Sequence, residues 1–258
     1  MSNSVISILP ILNLEFLMCN SVALPSNEEL ELFLSANVNV DDWTILYHHL
    51  SAFSFAKIPV MLQEDHLRVK ALNWGLIPSW CKDEAQAREM RLMTVNARSE
   101  TIFEKPSFRN SIKDKRCLIF VNGFYEWKAY NKKKYPHFIQ LKDQPVFAMG
   151  GIYESWVNTA TGEIIDSCSI VTTPANELMS EIHNSKLRMP LILPKKKMMQ
   201  WIEKDLPKEQ IQQLMQPLED GLLEAHSVSK LVTSRAEDNN VPDVKKPFYY
   251  SELTNLFG

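Results

Sequence analysis

The most constraining feature of this sequence is a series of short, closely spaced strand-like segments between residues 117 and 173. They are rich in β-branched and aromatic residues, and they run from Cys117 to Val121, Phe124 to Ala129, His137 to Leu141, Val146 to Ile152 and Cys168 to Thr173. Connections this short favour antiparallel pairing, because a parallel crossover needs a dozen or more residues. We therefore predict an α+β fold with a mainly antiparallel sheet that curls into a barrel.

Helical patterns flank this region. Ser26 and Glu29 have the spacing of a capping box and predict a helix over residues 27–35. Apolar periodicity predicts further helices over residues 83–91, 175–182, 195–203 and 207–216. No repeat, low-complexity tract or Gly/Ser linker divides the chain, so we expect residues 19–258 to form a single domain.

Composition excludes several classes of protein. Apolar residues make up 45% and charged residues 23% of the 258 residues, which is ordinary for a globular protein. The 4 cysteines are scattered without a CxxC pair, which indicates neither a metal site nor a disulfide framework and favours a reducing cytoplasm. The apolar stretch from Val5 to Leu17 lacks the preceding Lys or Arg of a secretory signal, and it is too short to span a membrane. We expect no cofactor, no metal and no membrane association.

The charge is unevenly distributed. The net charge is −3, yet Lys57 is the first cation, so residues 1–56 sum to −6 and the remainder to +3. A local basic surface is therefore compatible with the acidic total.

A strand-like motif of residues 116–127, RCLIFVNGFYEW, contains the first candidate for chemistry. Asn122-Gly123 between two apolar runs predicts a β-hairpin. Alternation places Glu126 on the face opposite Tyr125 and Trp127, so this carboxylate is either partly desolvated and suited to acid–base work or an ordinary solvent-facing residue.

Three other motifs have both a functional and a structural interpretation. Residues 74–80, WGLIPSW, form either a turn with stacking surfaces or a packed corner; residues 96–101, NARSET, form either a polar site or a helix start. His183 follows a predicted helix and either caps its C-terminus or acts in catalysis, and Arg188 before Met-Pro is equally ambiguous.

Taken in order with Met18-Cys19, these motifs resemble those of the SRAP family, the SOS-response-associated peptidases or abasic-site-processing proteins. The resemblance runs from Met18 to about Pro247. It implies an α+β fold with a curled antiparallel sheet, and a groove for single-stranded DNA that leads to an N-terminal cysteine. The family's functional residues carry over as the nucleophile Cys19 and as Asn96, Arg98, Glu126, His183 and Arg188.

The resemblance also implies a chemistry. An abasic deoxyribose opens to an aldehyde, and an N-terminal cysteine can trap it as a thiazolidine because its amine and thiol lie on adjacent carbons. An α-amine has a pKa of about 7.7–8.0, so a useful fraction is unprotonated near neutrality. We expect Glu126 and His183 to move protons, Asn96 to orient the N-terminus, Arg98 and Arg188 to contact phosphates, and Trp74 to stack on bases.

Departures from the family pattern leave alternatives open. Cys19 is preceded by 18 residues, so this extension is either a misassigned start, with translation beginning at Met18, or a segment that the site removes. The usual His-x-Arg-Met-Pro motif is expanded between His183 and Pro190, Asn122 replaces an aspartate, and the usual opening arginine is missing. We expect a cytoplasmic, nucleoid-associated monomer. Its preferred function is the capture of abasic sites in single-stranded DNA, with lyase activity as a further expectation. The alternatives are a thiol peptidase acting on other proteins and a DNA-binding module without chemistry.

Overall fold

The computed structural model describes residues 20–41, 46–234 and 236–254. Its strands are β1 (Ser21–Ala23), β2 (Asn39–Val40), β3 (Leu50–Ser51), β4 (Lys57–Leu62), β5 (Asp65–Trp74), β6 (Asn96–Arg98), β7 (Arg116–Val121), β8 (Gly123–Tyr130), β9 (Lys133–Leu141), β10 (Phe147–Val157), β11 (Ile164–Pro174), β12 (Arg188–Pro190), β13 (Ile192–Leu193) and β14 (Leu223–Ser227). Its α-helices are α1 (Asn27–Phe33), α2 (Glu84–Met93), α3 (Ser111–Asp114), α4 (Glu177–Ile182), α5 (Lys195–Trp201), α6 (Lys208–Leu214) and α7 (Ser251–Thr254).

The larger sheet closes into a barrel. Its strands follow the order β11, β10, β7, β4 and β5, and β5 pairs with β11 to complete the ring. The pairings within this order are antiparallel, whereas β5 and β11 run parallel, with Asn73 opposite Ser167 and Trp74 opposite Cys168. The predicted α+β fold with a curled, mainly antiparallel sheet is confirmed.

A second sheet packs beside the barrel and carries the candidate site. It has 5 strands in the order β14, β9, β8, β1 and β3, and its pairings are antiparallel. The N-terminal strand β1 lies against β8, with Val22 opposite Phe124 and Ala23 opposite Gly123.

The predicted hairpin at Asn122-Gly123 is wrong. Strand β7 belongs to the barrel and pairs with β4 and β10, while β8 belongs to the second sheet and pairs with β1 and β9. Asn122 fixes this corner by donating from Nδ2 to the carbonyl of Pro145 at 2.8 Å. A Cβ on Gly123 would lie 2.3 Å from the ring of Phe138, so this glycine serves a close contact between strands rather than a tight turn.

Burial on both faces explains the continuous apolar run of β7. Ile119 and Val121 join one hydrophobic cluster with residues of the second sheet, whereas Leu118 and Phe120 join another beneath α5 and α6. Arg116, fully buried at the start of β7, donates to the carbonyls of Ile112, Lys113, Trp201 and Glu203. A charged side chain is tolerated there because its N–H groups are satisfied by backbone oxygens.

The predicted helices are present with shifts of a few residues at their ends. Ser26 and Glu29 form the capping box: the Ser26 hydroxyl accepts from the backbone N–H of Glu29, and the Glu29 carboxylate accepts from that of Ser26. None of the helices in the described part of the chain is long and apolar enough to cross a membrane.

Candidate active site

The structure brings together two of the predicted site residues, Glu126 and His183. Glu126 lies in the middle of β8 and His183 directly follows α4, yet His183 Nε2 is 3.6 Å from Glu126 Oε2. Both are nearly inaccessible, with relative exposures of 4% and 5%. Of the two interpretations of Glu126, the structure supports the desolvated carboxylate. Alternation also holds, because Tyr125 joins a different hydrophobic cluster on the opposite face of β8.

Hydrogen bonding defines the protonation of His183. Its Nδ1 lies 3.1 Å from the carbonyl oxygen of Arg188, which can only accept, so Nδ1 carries the hydrogen. Burial lowers the pKa of His183, and the cations of Lys186, Arg188 and Lys134 lower it further, against the opposing effect of the bond to the Arg188 carbonyl. The neutral imidazole therefore presents a bare Nε2 to Glu126. The 3.6 Å separation is longer than a hydrogen bond, as is common for catalytic groups without substrate, and it leaves the pair placed for proton transfer once the groups approach.

The segment after α4 holds His183 in place. The His183 N–H donates to the carbonyl of Met179 at 2.8 Å and ends the helix. Asn184 then reaches across to β8, where its Oδ1 accepts from the N–H of Ala129 at 3.0 Å and its Nδ2 donates to the Ala129 carbonyl at 2.9 Å. Leu187 adopts a left-handed backbone, with φ of 54°, as the chain returns to β12. The expanded motif is thus accommodated as a loop, and its two ends, His183 and Arg188, remain in contact.

Both Nη atoms of Arg188 bond to acceptors within the protein. Its Nη1 contacts the carboxylate of Glu100, and its Nη2 donates to the carbonyl of Thr172 at 2.7 Å and to its hydroxyl at 3.1 Å. Partial burial is the largest single effect on Glu100 and raises its pKa, but hydrogen bonds from Arg188, the backbone and Ser99, together with the charge of Arg188, outweigh it and the pKa is lowered. A phosphate would have to compete with these partners for Nη1 and Nη2, and the phosphate contact of Arg188 stays a prediction.

The other predicted polar residues lie on β6. This strand runs parallel to β11, with Asn96 opposite Ile170 and Arg98 opposite Thr172, so the alternative of a helix start is wrong. Asn96 is half-buried and Arg98 is exposed. Thr172 also receives Arg188, and the β6 and β12 motifs therefore meet at the same end of β11.

The prediction that Trp74 stacks on DNA is corrected by its burial. The side chain is 1% exposed and its Nε1 donates to the carbonyl of Val95 at 3.1 Å, so the ring has no face open to a base. The packed-corner interpretation holds for this residue. Trp80, at the other end of the motif, is 45% exposed.

Cys19, the predicted nucleophile, lies outside the described residues, and the adjoining Asn20 begins the described chain. Strand β1 runs antiparallel to β8, so the residues before Val22 lead in the direction of Tyr125 and Glu126. The end of the described chain is thereby directed toward the buried pair.

Sequence reasoning missed two residues beside the pair. His137 is the cross-strand partner of Glu126, and Lys128 lies two residues beyond Glu126 on the same face of β8. Burial lowers the pKa of His137, and the charge of Lys128 contributes to the lowering. Antiparallel register between the two predicted strands would have indicated both residues. Among the described residues, no group of three His, Cys, Asp or Glu side chains could hold a metal ion.

Comparisons with known proteins agree with this architecture. The family described as SOS response associated peptidase (SRAP) matches residues 18–235. A protein of Bacillus subtilis (strain 168) named abasic site processing protein YoqW is 44% identical over 179 residues, covering 69% of this chain and 75% of the relative. The abasic site processing protein HMCES of Xenopus tropicalis is 30% identical over 214 residues, covering 72% of this chain and 62% of that relative.

Two solved structures support the same architecture. The crystal structure of a protein from Bacteroides thetaiotaomicron superposes with a TM-score of 0.83 at 34% identity, covering 90% of this chain and 100% of that one. A second structure, from Bordetella bronchiseptica, has a TM-score of 0.71 at 22% identity and supports the fold alone.

Proposed function

Because this chain belongs to the SRAP family, we propose that it captures abasic sites in single-stranded DNA covalently, through Cys19 once that cysteine is the N-terminal residue. The observation that carries the proposal is the buried Glu126–His183 pair, toward which the N-terminal end of β1 is directed. The match to the family begins at Met18, directly before the cysteine. Relatives of this chain are named abasic site processing proteins, which favours the same substrate.

The proposed reaction uses both reactive groups of the cysteine. The α-amine adds to the aldehyde carbon of the ring-opened sugar, and loss of one water gives an iminium. The thiol sulfur then bonds to the same carbon while its proton leaves, and the neutral product is a five-membered thiazolidine. Overall, the amine, thiol and aldehyde combine with loss of one water, and no oxidant or metal is required. A lysine amine, with a pKa of about 10.4, is mostly protonated near neutrality and has no neighbouring sulfur to close the ring.

Glu126 and His183 supply the proton transfers that these steps need. Opening the sugar ring, adding the amine and expelling water each move a proton to or from oxygen or nitrogen. A buried carboxylate paired with a neutral imidazole can take up a proton in one step and return it in the next. Asn96 is proposed to orient the N-terminus, and the exposed Arg98 to contact a phosphate of the strand.

The 18 residues before Cys19 must be absent for this chemistry, because an acylated nitrogen cannot form an iminium. We propose that the amine is freed either by initiation at Met18 followed by removal of that methionine, or by cleavage before Cys19 at the site itself.

A denaturing gel tests the proposal. Protein that begins at Cys19 should form a denaturation-resistant band with a single-stranded oligonucleotide containing one abasic site, and Cys19→Ala should abolish the band. An oligonucleotide with a reduced sugar, which has no aldehyde, is the matched control. A band that persists with Cys19→Ala would show that another amine traps the sugar.

Chemical blocking of the α-amine separates this function from the thiol-peptidase alternative. A free thiol with a blocked amine should lose all DNA capture, whereas a thiol peptidase would keep its activity.

A further inference from the structure

A cavity of about 290 Å³ lies next to the Glu126–His183 pair and is closed on one side by the C-terminal segment of the chain. Lys128, His137, Ala225 and Ser227 line it from the second sheet, and these residues point to the face that carries Glu126. The α4 residues Leu178, Glu181 and Ile182 form a second wall, directly before His183. The cavity thus adjoins the pair through its cross-strand neighbour and through the helix that precedes the histidine.

The remaining wall consists of Tyr249, Tyr250 and Leu253. These residues lie beyond position 235, where the family match ends, so this wall is outside the part of the chain that defines the family. The cavity is thus lined both by residues within the family match and by residues beyond it.

The C-terminal segment is fixed to the sheet. The Phe248 N–H donates to the Ser227 carbonyl at 2.7 Å, and the Ser227 hydroxyl donates to the Phe248 carbonyl at 2.6 Å. The Tyr250 hydroxyl donates to the Val228 carbonyl at 2.8 Å, and its ring packs edge-on against Tyr135 with centroids 5.0 Å apart. Tyr249, held between these anchored residues, is 71% exposed. A large aromatic ring is therefore presented at the cavity by a well-supported backbone.

The side chains that line the cavity indicate the kind of ligand that it can bind. Lys128 and Glu181 place one positive and one negative side chain in the lining, which opposes a purely anionic or purely cationic ligand. Aromatic and aliphatic side chains provide the rest of its surface, together with Ser227. A neutral heteroaromatic ring with polar edges fits this lining, and its size suits one such ring. Aromatic side chains bind unpaired bases by stacking, without sequence preference.

We propose that this cavity is a subsite for one unpaired nucleobase next to the abasic position, with Tyr249 as its stacking surface and Lys128 as a contact for the adjoining phosphate. The inference rests on the proposed function, because the substrate must place a nucleotide beside the captured sugar. Occupying the subsite would fix the strand relative to Glu126 and His183, so Tyr249 acts in binding and not in the chemical steps.

Equilibrium binding of the full chain tests this subsite. The probe is a fluorescent single-stranded oligonucleotide with one central tetrahydrofuran, an abasic analogue that has no aldehyde and does not crosslink. Tyr249→Ala should weaken binding about tenfold, and Tyr249→Phe, which keeps the ring, should bind like the wild type. Lys128→Gln should weaken binding and reduce its salt dependence, while Lys204→Gln, on an exposed loop elsewhere, should change neither.

A second probe separates stacking from a general effect of the substitution. In it, the nucleotides flanking the tetrahydrofuran on both sides are also tetrahydrofuran, so the neighbouring bases are removed. Wild-type affinity for this probe should fall to that of Tyr249→Ala, and the substitution should then have no further effect. Equal affinities of wild type and Tyr249→Ala for the first probe would overturn the subsite and leave the proposed function intact. Failure of the wild-type chain to bind either probe would instead overturn both.

Discussion

At the scale of single residues, the proposed chemistry depends on a carboxylate that the fold removes from water. Glu126 is 4% exposed and faces the bare nitrogen of a neutral imidazole, so the two groups are placed to exchange a proton with each other and with a bound substrate. Such isolation is costly unless the groups have partners, and buried titratable pairs in a site commonly serve a reaction.

Replacing Glu126 by glutamine tests its role as proton carrier. Glu126→Gln keeps the size of the side chain and removes its acid–base function, so the rate of crosslinking should fall by about 100-fold or more. Affinity for a single-stranded oligonucleotide without an abasic site should stay at the wild-type value. Single-turnover crosslinking and anisotropy measure the two quantities. Unchanged crosslinking rates across the pH range would exclude Glu126 from the chemistry.

Asn184 positions His183 without touching the pair. Removing its two hydrogen bonds to Ala129 should let the loop relax and should lower the crosslinking rate about tenfold, because small displacements of a proton carrier are costly. Asn184→Ala supplies the test, and Ser185→Ala, on the neighbouring exposed residue, is the control. The pH profile of the rate should also shift with Asn184→Ala, since the surroundings of His183 change. An unaltered profile together with an unaltered rate would assign Asn184 to loop structure alone.

At the scale of elements, the corner between β7 and β8 joins the barrel to the sheet that carries the site. Gly123 makes this corner possible because it has no Cβ. A Cβ at this position would lie 2.3 Å from the ring of Phe138. Gly123→Ala should therefore destabilise the protein by about 1–3 kcal/mol through overpacking.

Denaturant unfolding measures this effect against a matched glycine. Gly221 has a φ of +82° but open space around its Cβ position, so Gly221→Ala should cost only the strain of a left-handed alanine, about 1–2 kcal/mol. Crosslinking should fall with Gly123→Ala, because β8 would shift, and stay unchanged with Gly221→Ala. Equal losses of activity in the two variants would argue against a special role for the corner.

Several elements were predictable because their signals are local. Alternating and β-branched segments correctly indicated β8, β9 and β11, and the Ser26–Glu29 pattern correctly indicated the start of α1. The hairpin at Asn122-Gly123 was predicted wrongly, because the need for glycine arises from Phe138, which is distant in sequence. Strand β6 and the parallel closure of β5 on β11 depend on pairings between remote segments, and short-range patterns do not encode them.

In the candidate site, too, some features follow from local sequence patterns and others depend on contacts between remote segments. The structure brings Glu126 and His183 together, and their catalytic role stays a prediction, whereas Trp74 was misassigned because a turn with Gly75, Pro78 and two indoles has the same pattern when packed as when exposed. Asn184 lies within the expanded part of the last motif, and its bond to Ala129 depends on how that loop folds.

At the scale of the whole molecule, buried histidines couple stability to pH. His49, His137 and His183 all have lowered pKa values, with burial as the main cause in each. The unfolded chain, in which a histidine has a pKa of about 6.5, therefore binds these protons more readily than the folded chain. The stability that these neutral, buried histidines contribute is fully present above about pH 6.5. It is lost as the pH falls from that value toward their lowered folded-state pKa values.

Thermal unfolding at a series of pH values measures the coupling. Between pH 7.5 and 5.5 the Tm should fall by several degrees, at about 2–4 °C for each kcal/mol lost in a protein of this size. The His49→Gln variant, which removes one buried titrating group packed against Tyr125 on the opposite face of β8 from Glu126, should show a weaker dependence. A Tm that stays constant across this interval would show that the buried imidazoles are protonated as readily in the folded chain as in the unfolded one.

The proposed function depends on a single liberated amine and thiol at the end of the folded domain. The most direct test is the intact mass of the covalent product formed between the purified protein and an abasic oligonucleotide. Thiazolidine formation predicts a product that begins at Cys19 and weighs one water less than the sum of protein and DNA. A covalent product that still carries residues 1–18 would contradict it.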